Sequence, residues 1–385
     1  MSVHLVLHAL QTLPPSNINR DDLGTPKTAI YGGVPRARVS SQSWKRAMRT
    51  HFTTAGLVPA QDLAVRTRHG ISLLTAALGP LCPGLDEEKT AAIAEKVLIA
   101  ATGASPDTAA RRPDTAAPAT KEILFLGRRQ IDRLAHLAAD GAADITAYLK
   151  TKANVTALKQ AVASKDTVDI ALFGRMVAAD QDLSLDAAVQ VAHALAVHRT
   201  TVETDYFTAV DDFTSDSGAS MIGRGEFVAP TLYRHAVLTG PDLAANLTDY
   251  ADAMTLQQVT AAFVRAFAES VPSGKITSHA HATRPTVLIA TVTGTPFNHV
   301  GAFETPVETT AGGHLPPAAA RLAEHITTTE TAYGDPDARS WLLTLQPQAT
   351  EPLNAIAERV PSLTALADTA AAELAHRTST VREPA

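Results

Sequence analysis

The chain has 385 residues, 45% hydrophobic and 19% charged, with a formal net charge of −6, a size that implies two units or one core with large insertions. A single cysteine, Cys82, excludes an intrachain disulfide and a cysteine zinc cluster and suits a reducing cytoplasm. No uncharged apolar run approaches the ~20 residues that cross a bilayer, and residues 3–10, with two histidines and no basic leader, do not read as a secretory signal.

In chain order, Val3, Leu5 and Leu7 alternate with His4, Val6 and His8, the pattern of a half-buried strand. Residues 34–40 read as a second strand, entered through the Gly32–Gly33 turn. Ser40 or Ser41 caps a helix running to about Phe52, because a hydroxyl there accepts from the free amides of the first turn. On that helix Trp44, Met48 and Phe52 form one apolar stripe, Lys45 and Arg49 stack beside it, and Arg46 lies about 100° further round. From residue 59 the pattern turns alanine-rich and helical, as at 87–101 and 121–139, split by a Pro/Ala/Thr/Asp loop at 104–120. Strand-like pattern resumes near Asp169, a helix is expected at 185–198, and a strand at 227–238. Helix 256–270, a buried strand at 285–293, helix 316–329 and frayed residues beyond Arg377 complete the expectation. The picture is a strand-rich core interrupted by a helical insertion at 59–171.

Charge singles out one region. Between Arg20 and Arg49 stand seven basic side chains (Arg20, Lys27, Arg36, Arg38, Lys45, Arg46, Arg49) against Asp21 and Asp22, in a chain that is acidic overall. A local reversal of sign with a capped helix and paired glycines points to a polyanion bound at this place, its phosphates meeting backbone amides and cations. A solvated amphipathic helix is the bland reading of the same residues.

Asn19-Arg-Asp-Asp22, Ala29-Ile-Tyr-Gly-Gly33 and Arg36-Ala-Arg-Val-Ser-Ser-Gln-Ser-Trp-Lys-Arg-Ala-Met-Arg49 resemble the N-terminal signature of the CasC family, the repeated backbone subunits of the type I-E CRISPR surveillance complex Cascade. Asp169-Ile-Ala-Leu-Phe-Gly-Arg-Met176 and Ala192-His-Ala-Leu with Asp205-Tyr-Phe-Thr-Ala-Val-Asp-Asp212 agree in order and spacing, so the resemblance spans about two-thirds of the chain. It implies an α+β fold: a ferredoxin-like (RRM-like) palm at 1–58 and 172–385, helical fingers at 59–171, and a β-hairpin thumb at 199–227. It also implies binding of crRNA through its phosphates, head-to-tail polymerisation with other copies, contact with other Cascade subunits, and pairing of target DNA with the guide. Arg20, Lys27, Arg36, Arg38, Ser40, Gln42, Lys45, Arg46 and Arg49 are the candidate RNA contacts of this first region.

Further candidates follow from the same resemblance. Tyr206 and Phe207, among Asp205, Asp211 and Asp212, lie in a segment too polar for a core strand. Phe207 matches the family's ring that wedges between bases, with Tyr206 and Val210 as neighbours; packing at the base of a hairpin is the plain alternative. Met176 matches the residue that presses on the displaced base and Arg175 accompanies it, although a Met after Gly-Arg is ordinarily core.

Pro272-Ser-Gly-Lys275 lacks the full Walker spacing, which argues against nucleotide hydrolysis and leaves Lys275 as a candidate phosphate contact on a glycine turn. No cofactor or metal is expected: His4 and His8 sit ~13 Å apart on a strand, and His279 with His281 lacks a completing ligand. Asp21 and Asp22 are the residues on which a metal-dependent ribonuclease of related architecture would rest, but adjacent carboxylates in an extended loop diverge, and turn and cap roles suit them better. The expectation is therefore a non-enzymatic, cytoplasmic RNA-binding subunit with no membrane contact. A free-standing single-strand binder is the third class. In the insertion, Lys150, Lys152 and Lys159 read as solvated charge or, by the resemblance, as a non-specific DNA track, and Arg128, Arg129 and Arg133 share a second helical pattern.

Overall fold

The computed structural model describes residues 2–107, 118–177, 180–209, 222–250 and 254–382. The chain divides into two compact units, Met1–Ala55 with Gln190–Gly240 and Thr260–Ala385, and Gly56–Val189 with Pro241–Val259. The fold is α+β.

The first unit is built on a mostly antiparallel nine-stranded sheet. Its strands run in the order Glu358–Arg359, Arg339–Thr344, Val287–Thr293, His4–Thr12 (β1), Thr231–Thr239, Ala194–Ala196, Val34–Val39 and Thr28–Tyr31, with Val189–Val191 also pairing to Thr231–Thr239. Thr28–Tyr31 is β2 and Val34–Val39 is β3. Strand β1 lies between Thr231–Thr239 and Val287–Thr293, in antiparallel register with both. Its residues from Leu5 to Gln11 are all buried, so the alternating apolar–polar pattern misleads: a central strand covered on both faces buries both sets of side chains. One side of the core gathers Leu10, Tyr233, Ile289 and Phe303 against Leu315, Leu322 and Ile326 of the helix Leu315–Tyr333.

The turn between β2 and β3 requires its glycines. Gly32 has φ of 57° and a Cβ there would lie 1.7 Å from the Glu304 carbonyl oxygen, so only a bare backbone makes this approach. Beyond β3 the helix Ser41–Thr54 (α1) begins as expected: Ser40 is extended, and its hydroxyl accepts from the Ser43 amide at 3.3 Å. Trp44, Met48 and Phe52 are buried, each contributing ~1.5–3 kcal/mol of burial. Beneath them lies Arg234, wholly buried, its guanidinium carbon 3.7 Å from the centroid of Trp44 and 4.4 Å from that of Phe267. Its Nη1 donates to Gln11 Oε1 at 2.6 Å, and burial pushes its pKa down to about 9.

The second unit is mainly helical, with Gly70–Leu78, Glu87–Thr102, Arg128–Asp140 and Lys152–Ala163 enclosing a core of Ile71, Leu74, Val97, Leu134 and Leu158. The helix at 87–101 is found almost as expected; at 121–139 a short strand, Leu124–Gly127, precedes a helix that starts at Arg128. Of the segment read as a loop, Pro106–Asp107 and Ala119–Thr120 pair as short strands, and 108–117 lie outside the described residues.

Three expectations need correction. The segment at Asp169 is a helix, Val168–Phe173, whose buried Asp169 carboxylate accepts from the Ala64 amide at 2.8 Å. Residues 185–198 form no helix: Val189–Val191 and Ala194–Ala196 are sheet strands, because pairing to Thr231–Thr239 and β3 outweighs alanine's helix propensity. Residues 378–382 are not frayed but continue the helix Leu363–Arg382; 383–385 lie outside the described residues.

Candidate nucleic-acid interface

Three motifs distant in sequence meet in the first unit. An open groove of about 620 Å³ is lined by residues 18–21, by Ser43, Arg46, Ala47 and Thr50 on one side of α1, and by residues 269–274. Local geometry explains the meeting. Asn19 Oδ1 accepts from the Ser40 amide at 2.9 Å, which ties the Asn-Arg-Asp-Asp loop to the start of α1. A Cβ on Gly274 would lie 2.4 Å from the Ile18 carbonyl oxygen, so the Pro-Ser-Gly-Lys turn closes on that loop only because residue 274 is glycine. Lys275 follows, exposed, with φ of 51°. His51 Nε2 and Glu269 Oε2 meet at 3.0 Å in the same groove. Arg20, Gln42 and Arg46 are exposed, and Lys45 and Arg49 half-buried; desolvation lowers the pKa of Lys45. The groove is thus lined by Arg20 and Arg46 as well as by Asp21 and Glu269, has the N-terminal turn of α1 in its wall, and is open to solvent.

Lys27 and Arg38 lie side by side across the β2–β3 ladder, joined by a backbone bond from Arg38 N to Lys27 O of 2.8 Å. Arg38 Nη1 donates to Nδ1 of the exposed His193 at 2.8 Å. Composition gave no reason to single out His193 beyond its place in the Ala192-His-Ala-Leu block.

Two candidates are turned inward. Arg36 is 0% exposed, its Nη1 donating to the Ala196 carbonyl at 3.0 Å and its Nη2 to Phe303 and Glu304 carbonyls at 2.9 and 3.1 Å. Those donors are spent on backbone acceptors, so Arg36 holds β3 and the 303–304 loop together and does not meet a phosphate. Arg175 is 6% exposed, its Nε donating to Leu183 O at 2.9 Å and its Nη1 to Gln130 Oε1 at 3.2 Å; desolvation lowers its pKa to about 10. It is a structural cation of the second unit. Met176 beside it is 89% exposed, against the expectation for an ordinary core methionine. Ser40 is buried as the helix cap, which leaves its amide and hydroxyl engaged within the chain.

The hairpin is present. Glu203–Thr208 pairs antiparallel with Ile222–Phe227, with Tyr206 opposite Arg224 and Phe207 opposite Gly223. Every residue of the first strand is exposed, Tyr206 at 58% and Phe207 at 48%. The Phe207 ring lies over Gly223, where an added Cβ would come 2.3 Å from the ring. Val210, Asp211 and Asp212 lie outside the described residues.

Asp21 acts within its own loop: Oδ1 accepts from the Leu23 and Thr25 amides at 3.0 and 2.9 Å, the turn role expected of it. Among the described residues no three His, Cys, Asp or Glu side chains gather as metal ligands, and His281 is buried with Nε2 on the Pro272 carbonyl at 2.8 Å. In the second unit Arg129 pairs with the buried Asp62 and Arg133 with Asp166, each at 2.6 Å, while Arg128 donates to the Ala60 and Leu63 carbonyls. Lys159 pairs with Asp180 at 2.7 Å; Lys150 and Lys152 are exposed. No described helix is long and apolar enough to cross a membrane.

An open groove edged by Arg20 and Arg46 beside α1, in a unit built on a mostly antiparallel sheet and carrying a separate exposed hairpin, is the build of a nucleic-acid-binding α+β protein. Residues 5–369 match the model of the CT1975-like protein family, and the chain belongs to that family. It is similar to a chain of a solved "CRISPR RNA-guided surveillance complex, pre-nicking", at 36% identity over 96% of this chain and 100% of that one, with a TM-score of 0.82. A chain of a second solved "CRISPR RNA-guided surveillance complex" is 32% identical over 96% of this chain and 99% of that one, with a TM-score of 0.72. Comparison with curated proteins gives no match. The resemblance carried by the N-terminal motifs is borne out, and the family match extends to residue 369, beyond the two-thirds of the chain that the motifs span.

Proposed function

We propose that this chain is a crRNA-binding backbone subunit of a type I-E CRISPR surveillance complex, acting without catalysis in the cytoplasm. The observation that carries the reading is the likeness, over nearly the whole of both chains, to a chain of an RNA-guided surveillance complex, joined to the basic side chains on and around α1. In this reading the first unit is an RRM-like palm, the second supplies the helical fingers, and the hairpin Glu203–Phe227 is the thumb. Arg20, Lys27, Arg38, Lys45, Arg46, Arg49 and Lys275 grip guide phosphates, and Gln42 adds a neutral contact. Phe207, with Tyr206 and Val210, enters the stack of bases, and Met176 presses on a displaced base.

Copies associate head to tail along the guide, since a heterologous interface that does not close propagates into a helical filament. The bases stay open to target DNA, whose recognition belongs to pairing while the protein reads backbone and shape. The ribonuclease alternative is not favoured, because Asp21 already serves its own loop and, among the described residues, no group of three metal-ligating side chains forms.

The test is co-purification with sequencing of the bound RNA, together with incubation of that RNA and of target RNA with magnesium or manganese. Guide RNA of uniform repeat-derived ends, recovered uncut, is the expected result. Recovery of unrelated RNA, or cleavage lost in Asp21→Ala or Asp22→Ala, overturns the reading.

A further inference from the structure

Resting on the proposed RNA-binding role, one site goes beyond the contacts named for it. Lys27, Arg38 and His193 form a row across three neighbouring segments of the sheet: Lys27 leads into β2, Arg38 lies on β3, and His193 leads into Ala194–Ala196. The His193 ring is exposed, and the groups that act on it are burial and the charges of Arg38 and Lys27, which together lower its pKa. No acidic residue occurs on β2, β3, Val189–Val191 or Ala194–Ala196 to offset the row. Asp21, in the loop that leads to Lys27, spends Oδ1 on two amides of its own turn. A guanidinium has no lone pair to offer, so in the Arg38–His193 contact Nδ1 is the acceptor and the ring carries its proton on Nε2. Two cations and an imidazole N–H thereby stand together with no acidic residue on the strands beside them.

We propose that Lys27, Arg38 and His193 are one phosphate-binding site for the guide RNA, in which His193 donates from Nε2 and takes up a proton on Nδ1 as the phosphate binds. Burial first, and then the charges of Arg38 and Lys27, disfavour a second proton on the free imidazole; the phosphate offsets those two charges, and Arg38 turns from Nδ1 to the phosphate oxygens. The proton comes from solvent, so binding is linked to proton uptake. Affinity then rises as pH falls through the bound-state pKa of His193 and levels off below its free-state value.

The experiment measures binding of a guide-length single-stranded RNA by the full chain at fixed salt between pH about 7.5 and about 5.5, for wild type, His193→Gln and His193→Ala. Wild-type affinity is expected to rise at least ~3-fold more than that of either variant over this range. Thermal midpoints of the free variants should match wild type, because the ring is exposed. Parallel pH profiles for wild type and His193→Gln overturn the site, and a uniform loss at every pH does so as well, reducing His193 to an aiming partner for Arg38. Failure of the wild type to bind RNA at any pH overturns the proposed function itself, an outcome distinct from the first two.

Discussion

Helix α1 and the hairpin Glu203–Phe227 both present candidate RNA contacts, and they hold them by opposite means. The helix is capped by Ser40, anchored by three buried side chains, and laid over a guanidinium sandwiched between Trp44 and Phe267. The backbone that carries its cations is therefore fixed before any ligand arrives. The hairpin is an isolated two-stranded ladder whose described first strand is wholly exposed, with one ring resting on one glycine. Two strands alone are marginally stable in water, so the hairpin's order depends on what it folds over. On the proposed function, phosphate gripping is thus a property of the folded subunit, while base wedging belongs to the assembly.

The sharpest way to strain that contrast is acid. His8, His235 and His299 are buried close together under the sheet, with ring centroids 5.0 Å apart for His8–His235 and His8–His299. Desolvation lowers all three pKa values, to about 4 for His235 and His299. The neutral form is the one the fold accepts, so their contribution is intact above the unfolded value near ~6.5 and is lost as pH falls from there towards about 4. Stability should fall by at most ~1.4 kcal/mol per pH unit per ring, and urea midpoints taken at steps of pH check it. A flat profile would mean that water reaches these rings.

Next in size is Phe52→Ala, which removes an anchor of α1 and should cost ~3–5 kcal/mol, lowering the thermal midpoint of the free subunit. Phe207→Ala should leave that midpoint unchanged and instead weaken guide-bound assemblies by ~1–3 kcal/mol, with Phe207→Trp retaining most of the effect. Gly223→Val, whose branched side chain displaces the Phe207 ring, should imitate Phe207→Ala. A large loss of free-subunit stability in Phe207→Ala would make the ring a core residue and erase the contrast.

The smallest effect is expected from Lys45→Ala, Arg46→Ala and Arg49→Ala singly. Each should weaken RNA binding whatever the sequence and reduce the salt slope by ~0.7 log unit. An unchanged slope would return that residue to the solvated face of the helix.

Local signals made α1 readable in advance: a capping hydroxyl, a four-residue apolar period and a run of cations are all written within fourteen residues. The helices Glu87–Thr102, Leu256–Glu269 and Leu315–Tyr333 were legible for the same reason, and the ordered motifs carried the family. Alanine-rich 185–198 read as helix because its true partners, Thr231–Thr239 and β3, are far away in sequence. Arg36 and Arg38 show most directly what the sequence by itself could and could not determine. Two residues apart on one strand, they are equivalent to any local reading, and their charge alone located the cationic region. Tertiary structure separated them: carbonyls of Ala196, Phe303 and Glu304 take up the Arg36 guanidinium, while Arg38 meets the exposed ring of His193. Which cation is buried depends on groups from distant segments of chain, because a guanidinium leaves water where folding has gathered oxygen acceptors or aromatic faces to receive it.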